Sequence, residues 1–195
     1  MQSRSTNFYN RISFFYPIID SFLKQHKKRL VDEVNAQPVG SLLELGVGQG
    51  NYLIHYKHQD ITAIDTSLSM LEQAKKVNSK KIELLKMNAE FLSFNDHQFD
   101  YVIAAHLLSI SKDPNQIIRE AIRVLKPNGK LIILNHFTEN SFLGKIEILF
   151  QPIAKLFHFN SFFQQENLTE LNTLKCLKAL KFGLLNNYRL LVFEK

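Results

Sequence analysis

Cysteine, tryptophan, glycine and proline are all scarce in this chain of 195 residues, which holds one Cys, no Trp, seven Gly and five Pro. A single thiol, Cys176, excludes an intrachain disulfide and argues against a cysteine-held zinc ion. No apolar run approaches the ~20 residues a membrane-spanning helix requires. The stretch MQSRSTNFYNRISFFY has neither the basic-then-apolar order nor the small-residue cleavage site of a secretory signal. There is no HExxH zinc motif, serine nucleophile elbow, GxxxxGK[ST] phosphate loop or carboxylate pair, so hydrolase and NTPase readings lack support. These absences exclude a secreted disulfide scaffold, an integral membrane protein and a disordered tail, and make cytoplasmic residence the expectation.

What is present describes one folded domain. Hydrophobic residues make up 45% and charged residues 22%, proportions of a globular protein long enough to bury its own core. Lys+Arg 24 against Asp+Glu 18 leaves a net +6, an excess compatible with an anionic partner. Eleven of the sixteen Phe crowd into residues 8–22 and 137–163. From about residue 40 to 136, the apolar runs SLLEL, ITAID, KIELLKM, FDYVIAA and KLIILNHF alternate with helix-type stretches. Nearly continuous apolar strands separated by helices predict a parallel sheet covered on both faces. Thr66 or Ser67 is placed to cap a helix with Met70, Leu71, Ala74 and Val77 as its inward stripe. Asp113 and Pro114 open another helix, which Lys126-Pro127-Asn128-Gly129 should end. An earlier helix carries Ile19, Phe22, Leu23, Leu30 and Val34 on one face, with Lys24, Lys27, Lys28 and Arg29 opposite. Residues 174–181 and 188–194 read as two strands of a closing hairpin.

The segment LLELGVGQGNYL, residues 42–53, carries the chemistry. A strand ends near Glu44, and Gly46, Gly48 and Gly50 follow at two-residue intervals in a turn expected to feed a helix. Glycine permits positive φ and close approach of backbone to ligand. A dinucleotide fingerprint would read G-x-G-x-x-G. Here the spacing is G-x-G-x-G with an acid two residues earlier, which suits a cation or amine rather than a diphosphate. Asp65 ends the second strand, about 20 residues on, where an acid reaches a ribose diol.

With these residues in place, the chain resembles the class I S-adenosylmethionine (SAM) dependent methyltransferases over roughly residues 40–136. Glu44, Gly46, Gly48 and Gly50 match E-x-G-x-G-x-G, and Asp65 is followed by the S-x-x-M-L run, Ser67 to Leu71. The resemblance implies a Rossmann-like, doubly wound, mostly parallel seven-stranded sheet with an antiparallel terminal strand and helices on both faces. It implies SAM as cofactor, with Asp65 on the ribose and Thr66, Ser67 and Met70 bordering the adenine. Asn88, Ala89 and Glu90 stand where the family has D-A-E against the adenine; Asn88 replaces the Asp, so its contact with the exocyclic amine changes character. Ala105 and His106 follow the fourth strand at the same pocket. More narrowly, Ala105-His106-Leu107-Leu108-Ser109, Asn135-His136-Phe137 and the N-terminal Tyr-Asn-Arg and Tyr-Pro pair are similar to short bacterial phosphatidylethanolamine N-methyltransferases. Quinone-ring C-methyltransferases share much of that core.

The implied domain plan is a single unit over 1–195: an N-terminal helical lid (1–38), a SAM-binding core (39–137), a Phe-rich helical insert (138–165) and a closing hairpin (166–195). His106 and His136, at the carboxyl ends of adjacent strands, are candidate proton acceptors for an amine. Tyr9 and Tyr16 are candidates for an aromatic lid over a methylated ammonium. The resemblance points to phosphatidylethanolamine and its mono- and dimethyl forms as substrate. The alternatives are a quinone-type aromatic or a non-catalytic SAM- and lipid-binding module. A monomer is expected that touches the inner, anionic face of the membrane through its basic helix and Phe-rich insert. Nucleic acid is not expected as a partner, because the exocyclic-amine motif N/D-P-P-Y/F is absent after the fourth strand.

Overall fold

This computed structural model of the chain describes residues 16–57, 60–77, 82–137, 163–183 and 187–195, with the side chains of the first helix described from His26 onward. The predicted lid residue Tyr9 and residues 138–162 of the Phe-rich insert lie outside the described residues, as do the side chains of Tyr16, Ile19, Phe22, Leu23, Lys24 and Val77.

Helix α1 (Tyr16–Asn35) precedes β1 (Leu42–Leu45), β2 (Ile61–Asp65), α2 (Leu68–Val77), β3 (Glu83–Lys86), β4 (Phe99–Ala105), α3 (Pro114–Val124), β5 (Leu125–His136), β6 (Lys175–Phe182) and β7 (Tyr188–Glu194). All seven strands form one sheet in the order β3-β2-β1-β4-β5-β7-β6. The first five are mutually parallel, and β7 runs antiparallel to both β5 and β6. This is the doubly wound sheet with an antiparallel terminal strand that the motif order implies.

The side-chain alternation of the strands divides the core into two layers. Leu43, Leu45, Val102, Ala104, Leu131 and Ile133 pack with Ile117, Ile118, Ala121 and Val124 of α3 on one face. Leu42, Ala63, Ile103, Ile132 and Leu134 pack with Leu30 and Val34 of α1 and Leu71 of α2 on the other. Burying a leucine or valine of this kind stabilises the fold by roughly 1.5–3 kcal/mol. Helix starts follow the expected chemistry. The Gln116 N–H donates to Asp113 Oδ1 at 2.9 Å with Pro114 at the first position of α3. The Met70 N–H donates to Ser67 Oγ at 3.4 Å, so Ser67 rather than Thr66 caps α2.

Three expectations need correction. Among the described residues, no α-helix follows the glycine-rich turn, and a 3-10 turn, Leu53–His55, stands there instead. β1 ends at Leu45 and β2 begins at Ile61, and the glycine turn and this 3-10 turn lie in the connection between them. The segment instead buries Leu53 and Tyr56 individually. Second, Lys126-Pro127-Asn128-Gly129 does not separate α3 from a strand starting at Lys130. β5 begins at Leu125, and its pairing with β4 shifts register between Phe99 and Tyr101, with Asn128 at φ 62°. The turn is absorbed into the strand as a bulge. Third, residues from Gln165 to Thr173 form two 3-10 turns ahead of β6, so the hairpin itself starts at Lys175. Among the described residues, no helix is long and apolar enough to cross a membrane.

Candidate functional site

The strand order reverses direction between β1 and β4, and ligands of open α/β sheets bind beyond the carboxyl ends of the strands at such a point. A cavity of about 680 Å³ opens there, within the range of small-molecule and cofactor sites. Its wall includes Gly46, Gly48, Asp65, Thr66, Ser67, Met70, Asn88, Ala89, Glu90, Ala105 and His106, all predicted from the sequence. Met87, Leu107, Ile110, Ser111, Lys112 and Ile117 complete it. Leu107 belongs to the run after the fourth strand that the resemblance picks out, and Met87 adjoins Asn88; local sequence did not single out Ile110, Ser111, Lys112 and Ile117, which come from the 3-10 turn after β4, the residues beyond it and the first turn of α3, where no spacing rule applies.

The glycine turn owes its shape to backbone conformations that favour glycine. Gly46, Gly48 and Gly50 have φ of 67°, 55° and 75°. A Cβ on Gly46 would come within 2.9 Å of Leu107 Cδ1, whereas one on Gly48 would meet no heavy atom within 4 Å. A side chain at Gly46 would have to displace the end of the Leu107 side chain, while Gly48 faces open space. Asp65 fastens the turn. The Gly48 N–H donates to its Oδ2 and the Ser67 N–H to its Oδ1, both at 2.9 Å. One carboxylate thus ties the glycine turn to the start of α2 and keeps spare lone pairs for a diol. Asn88 Oδ1 accepts from the Glu90 N–H at 3.0 Å, which closes its own turn. Glu90 in turn holds the start of α3: its carbonyl accepts from Gln116 Nε2 at 3.0 Å and its Oε1 from the Asp113 N–H at 3.4 Å.

His106 has φ 56°, a left-handed conformation uncommon for a non-glycine residue. Its N–H donates to the Leu134 carbonyl at 2.7 Å and its Nε2 lies 3.0 Å from the Tyr52 hydroxyl. Burial, with smaller contributions from His26 and His136, drives the imidazole down to about 4, so it is neutral near pH 7. Burial first, then the field of Glu44, pushes the Tyr52 hydroxyl well above its ordinary value, so it stays protonated. Tyr188 packs against both candidate imidazoles, its ring centroid 5.9 Å from that of His106 and 5.4 Å from that of His136. Tyr52 and Tyr188 were not foreseen: one lies in the misjudged helix and the other in a plain strand.

The remaining predicted residues stand elsewhere. His136 packs on Tyr188 but is not part of the cavity wall. Gly50 and Glu44 also lie off the wall. Glu44 is only 1% exposed, and burial pushes its carboxyl up to about 8 despite the Tyr56 hydroxyl. On α1, Lys28 pairs with Asp32 at 2.6 Å, and the Arg29 guanidinium sits 4.7 Å from the centroid of Phe182. Among the described residues, no group of three or more His, Cys, Asp or Glu could hold a metal ion.

This geometry fits a nucleoside carrying a charged amino-acid tail. The open space before Gly48, a carboxylate fixed at the end of β2, and apolar walls from Met70, Ala89 and Ile117 offer a backbone cradle, a diol acceptor and a slot for a flat ring.

Comparison with known proteins agrees. The family described as "Methyltransferase domain" matches residues 43–133. The phosphatidylethanolamine N-methyltransferase of Cereibacter sphaeroides is 38% identical over 120 residues, covering 58% of this chain and 59% of that protein. The demethylmenaquinone methyltransferase of Thermotoga maritima is 34% identical over 152 residues, covering 71% of this chain and 65% of that protein. The chain thus spans less than two thirds of the length of these relatives. A solved SAM-dependent methyltransferase of Thermotoga maritima superposes with TM-score 0.68 at 22% identity, over 96% of this chain and 99% of that one. The [4+2]-cyclase SpnF superposes equally well, with TM-score 0.68 at 16% identity, over 88% of this chain and 80% of that one. The fold alone therefore does not specify methyl transfer.

Proposed function

Because this chain belongs to the class I SAM-dependent methyltransferases, we propose that it methylates the amine of phosphatidylethanolamine and its mono- and dimethyl forms. Bound in the cavity, SAM supplies an electrophilic methyl group. Gly46, Gly48, Asp65, Ser67, Met70 and the Asn88–Glu90 turn hold it, and the chain's remaining task is to bring an uncharged amine to it and exclude water.

The observation that carries this reading is His106, a neutral imidazole on the wall of the cavity that the glycine turn and Asp65 build. An ammonium group has no lone pair to donate, so it must lose a proton before it can react. In the tautomer that donates Nε2–H to the Tyr52 hydroxyl, 3.0 Å away, Nδ1 of His106 is left to accept that proton. The Tyr52 and Tyr188 rings beside it favour a methylated ammonium through their faces. The phospholipid is chosen over other amines on the Cereibacter sphaeroides relative. A lipid substrate requires contact with the bilayer surface, for which the exposed Lys28 on α1 and its neighbour Lys27 are placed to contribute about 1 kcal/mol each.

A second reading, methylation of a quinone-type ring, is favoured by the longer match to the demethylmenaquinone methyltransferase. The test is incubation with methyl-labelled SAM and either mixed phospholipid vesicles or a reduced demethylmenaquinone. Stepwise mass gains on the ethanolamine headgroup are expected. Label confined to the quinone would replace the first reading with the second, and label in neither would remove both. Vesicle co-sedimentation should show salt-sensitive binding to anionic lipid; its absence at low salt would remove the membrane contact.

A further inference from the structure

We infer that β6, with the basic stretch of α1 beside it, is the face that lies against an anionic lipid bilayer, Leu177 and Leu180 entering the headgroup layer between lysines. The inference rests on the phospholipid reading of the substrate and gives the membrane contact to a strand which that reading does not use.

β6 pairs with β7 and stands last in the strand order. Its residues from Lys175 to Lys181 are all exposed, and Phe182 alone is buried. A terminal strand presents a row of backbone N–H and C=O groups outward, and lysines on such an edge deter a further strand. β6 carries Lys175, Lys178 and Lys181 and no acid. Antiparallel pairing with a second copy about Lys178 would set Lys175 against Lys181 and Lys178 against itself, and like charges across strands repel. The register with β7 also shifts between Cys176 and Lys178, and a bulge spoils an edge as a template. Polypeptide strands are therefore poor occupants.

Protection of the edge accounts for the lysines but not for the leucines. Leu177 and Leu180 stand 42% and 36% exposed among them. Apolar side chains interleaved with basic ones suit a partner that is anionic at its surface, apolar beneath it, and without a fixed register. An anionic bilayer has those properties, and binding to it grows with both buried apolar area and opposite charge.

α1 extends the same flank. Lys178 Nζ pairs with Glu33 Oε2 at 2.6 Å, and the Arg29 guanidinium sits over the ring of Phe182. The run Lys27-Lys28-Arg29 is thereby brought beside the lysines of β6. Asp32, Glu33 and Glu194 pair with Lys28, Lys178 and Lys175, three acids against six basic residues, so the described part of the flank keeps an excess of positive charge. The flank is also joined to the cavity by a row of rings. Phe182 lies 6.3 Å from Tyr188 between centroids, and Tyr188 lies 5.9 Å from His106, which is cavity wall.

The experiment measures partition of the whole chain onto vesicles of phosphatidylglycerol and phosphatidylethanolamine at low salt, with polyglutamate as a competing partner. Lys175→Gln with Lys181→Gln removes charge and spares the Lys178–Glu33 pair. Leu177→Ser with Leu180→Ser removes apolar area. Lys75→Gln with Lys76→Gln, on α2 toward the opposite edge of the sheet, removes equal charge elsewhere. Each lysine near an anionic surface contributes about fivefold to binding, so the first pair should weaken it by about 10–30-fold. The leucine pair should weaken it by about tenfold, and the α2 pair by less than about twofold. Equal losses in the lysine pairs of β6 and α2, or no loss in either β6 variant while the unaltered chain binds, would overturn the inference and leave the phospholipid reading standing. Tighter capture of polyglutamate than of vesicles, lost in the β6 variants, would overturn it in favour of an acidic polypeptide. If the unaltered chain binds no vesicle, the inference falls, and headgroup methylation on detergent-dispersed lipid decides the phospholipid reading separately. Should a variant fail to fold, hydrogen exchange in β6 of the unaltered chain decides: slowing on addition of vesicles is expected, and an unchanged rate would overturn the inference.

Discussion

Gly46, Gly48 and Asp65 form one device, and each fails in a different way. Ala at Gly48 meets no atom of the protein but occupies space facing the cavity and strains a φ of 55°. Gly48→Ala should therefore weaken SAM binding strongly at a stability cost of about 1 kcal/mol, whereas Gly46→Ala, which drives a Cβ into Leu107, should lower the melting temperature as well. Calorimetry beside thermal unfolding separates the two. Asp65→Ala removes a charged acceptor from the ligand and from two N–H groups. An affinity loss of about 10–100-fold is expected, and unchanged affinity in a folded variant would withdraw the ribose assignment. Glu44 makes a stability prediction with a definite sign. Its folded value, about 8, lies above its unfolded value, so stability is greatest with the acid protonated and declines as pH rises from about 4.5 toward 8. Glu44→Gln should accordingly raise the melting temperature at pH 8 by several degrees and change it little at pH 5. These residues were legible because glycine spacing and an acid at a strand end report backbone chemistry directly. That Glu44 would be buried off the cavity wall was not, because burial depends on how residues distant in the chain, Tyr56 among them, pack around it.

Elements whose ends carry their own chemistry were the readable ones. Asp113 and Pro114 start α3, and the cap is made by the predicted side chain. Asp113→Ala should destabilise the chain by about 1 kcal/mol, read as a drop in denaturation midpoint. The same cap adjoins the Glu90 contacts, so a small loss of cofactor affinity should accompany it. Of the apolar stripe predicted for α1, Leu30 and Val34 have described side chains and both are buried, Leu30 at 0% exposure. Leu30→Ala should cost about 2–5 kcal/mol, a large part of the stability of a domain this size. Where element and sequence diverged, packing or pairing won over local pattern. The glycine turn, expected to feed a helix, is followed by a 3-10 turn that buries Leu53, with Tyr56 buried just after it. Lys126 to Gly129 have turn composition, yet pairing with β4 extends β5 back to Leu125.

For the whole molecule, the neutral histidines set the acid limit. His106 has a folded value near 4 against about 6.5 in an unfolded chain. Its contribution is present in full above 6.5 and is lost as pH falls toward 4, because the unfolded chain binds the proton first. Melting temperature should decline across that window, and His106→Gln should flatten part of the decline. A profile unaffected by the substitution would mean that the imidazole is less buried than the fold implies. The two strand ends that bring His106 beside Tyr52 and Tyr188 are also what place a proton acceptor next to the cofactor cavity.

By itself the sequence determined the alternation of strands and helices, the two caps, the glycine turn and Asp65, since each rests on local φ preference, periodicity or hydrogen bonding within a few residues. Only the tertiary structure decided that His106 bonds to Tyr52, 54 residues away, that His136 stands off the cavity wall, and that Glu44 is buried off that wall. Those outcomes depend on strand order and on which surfaces pack together, and contacts between residues distant in the chain leave no local pattern to read.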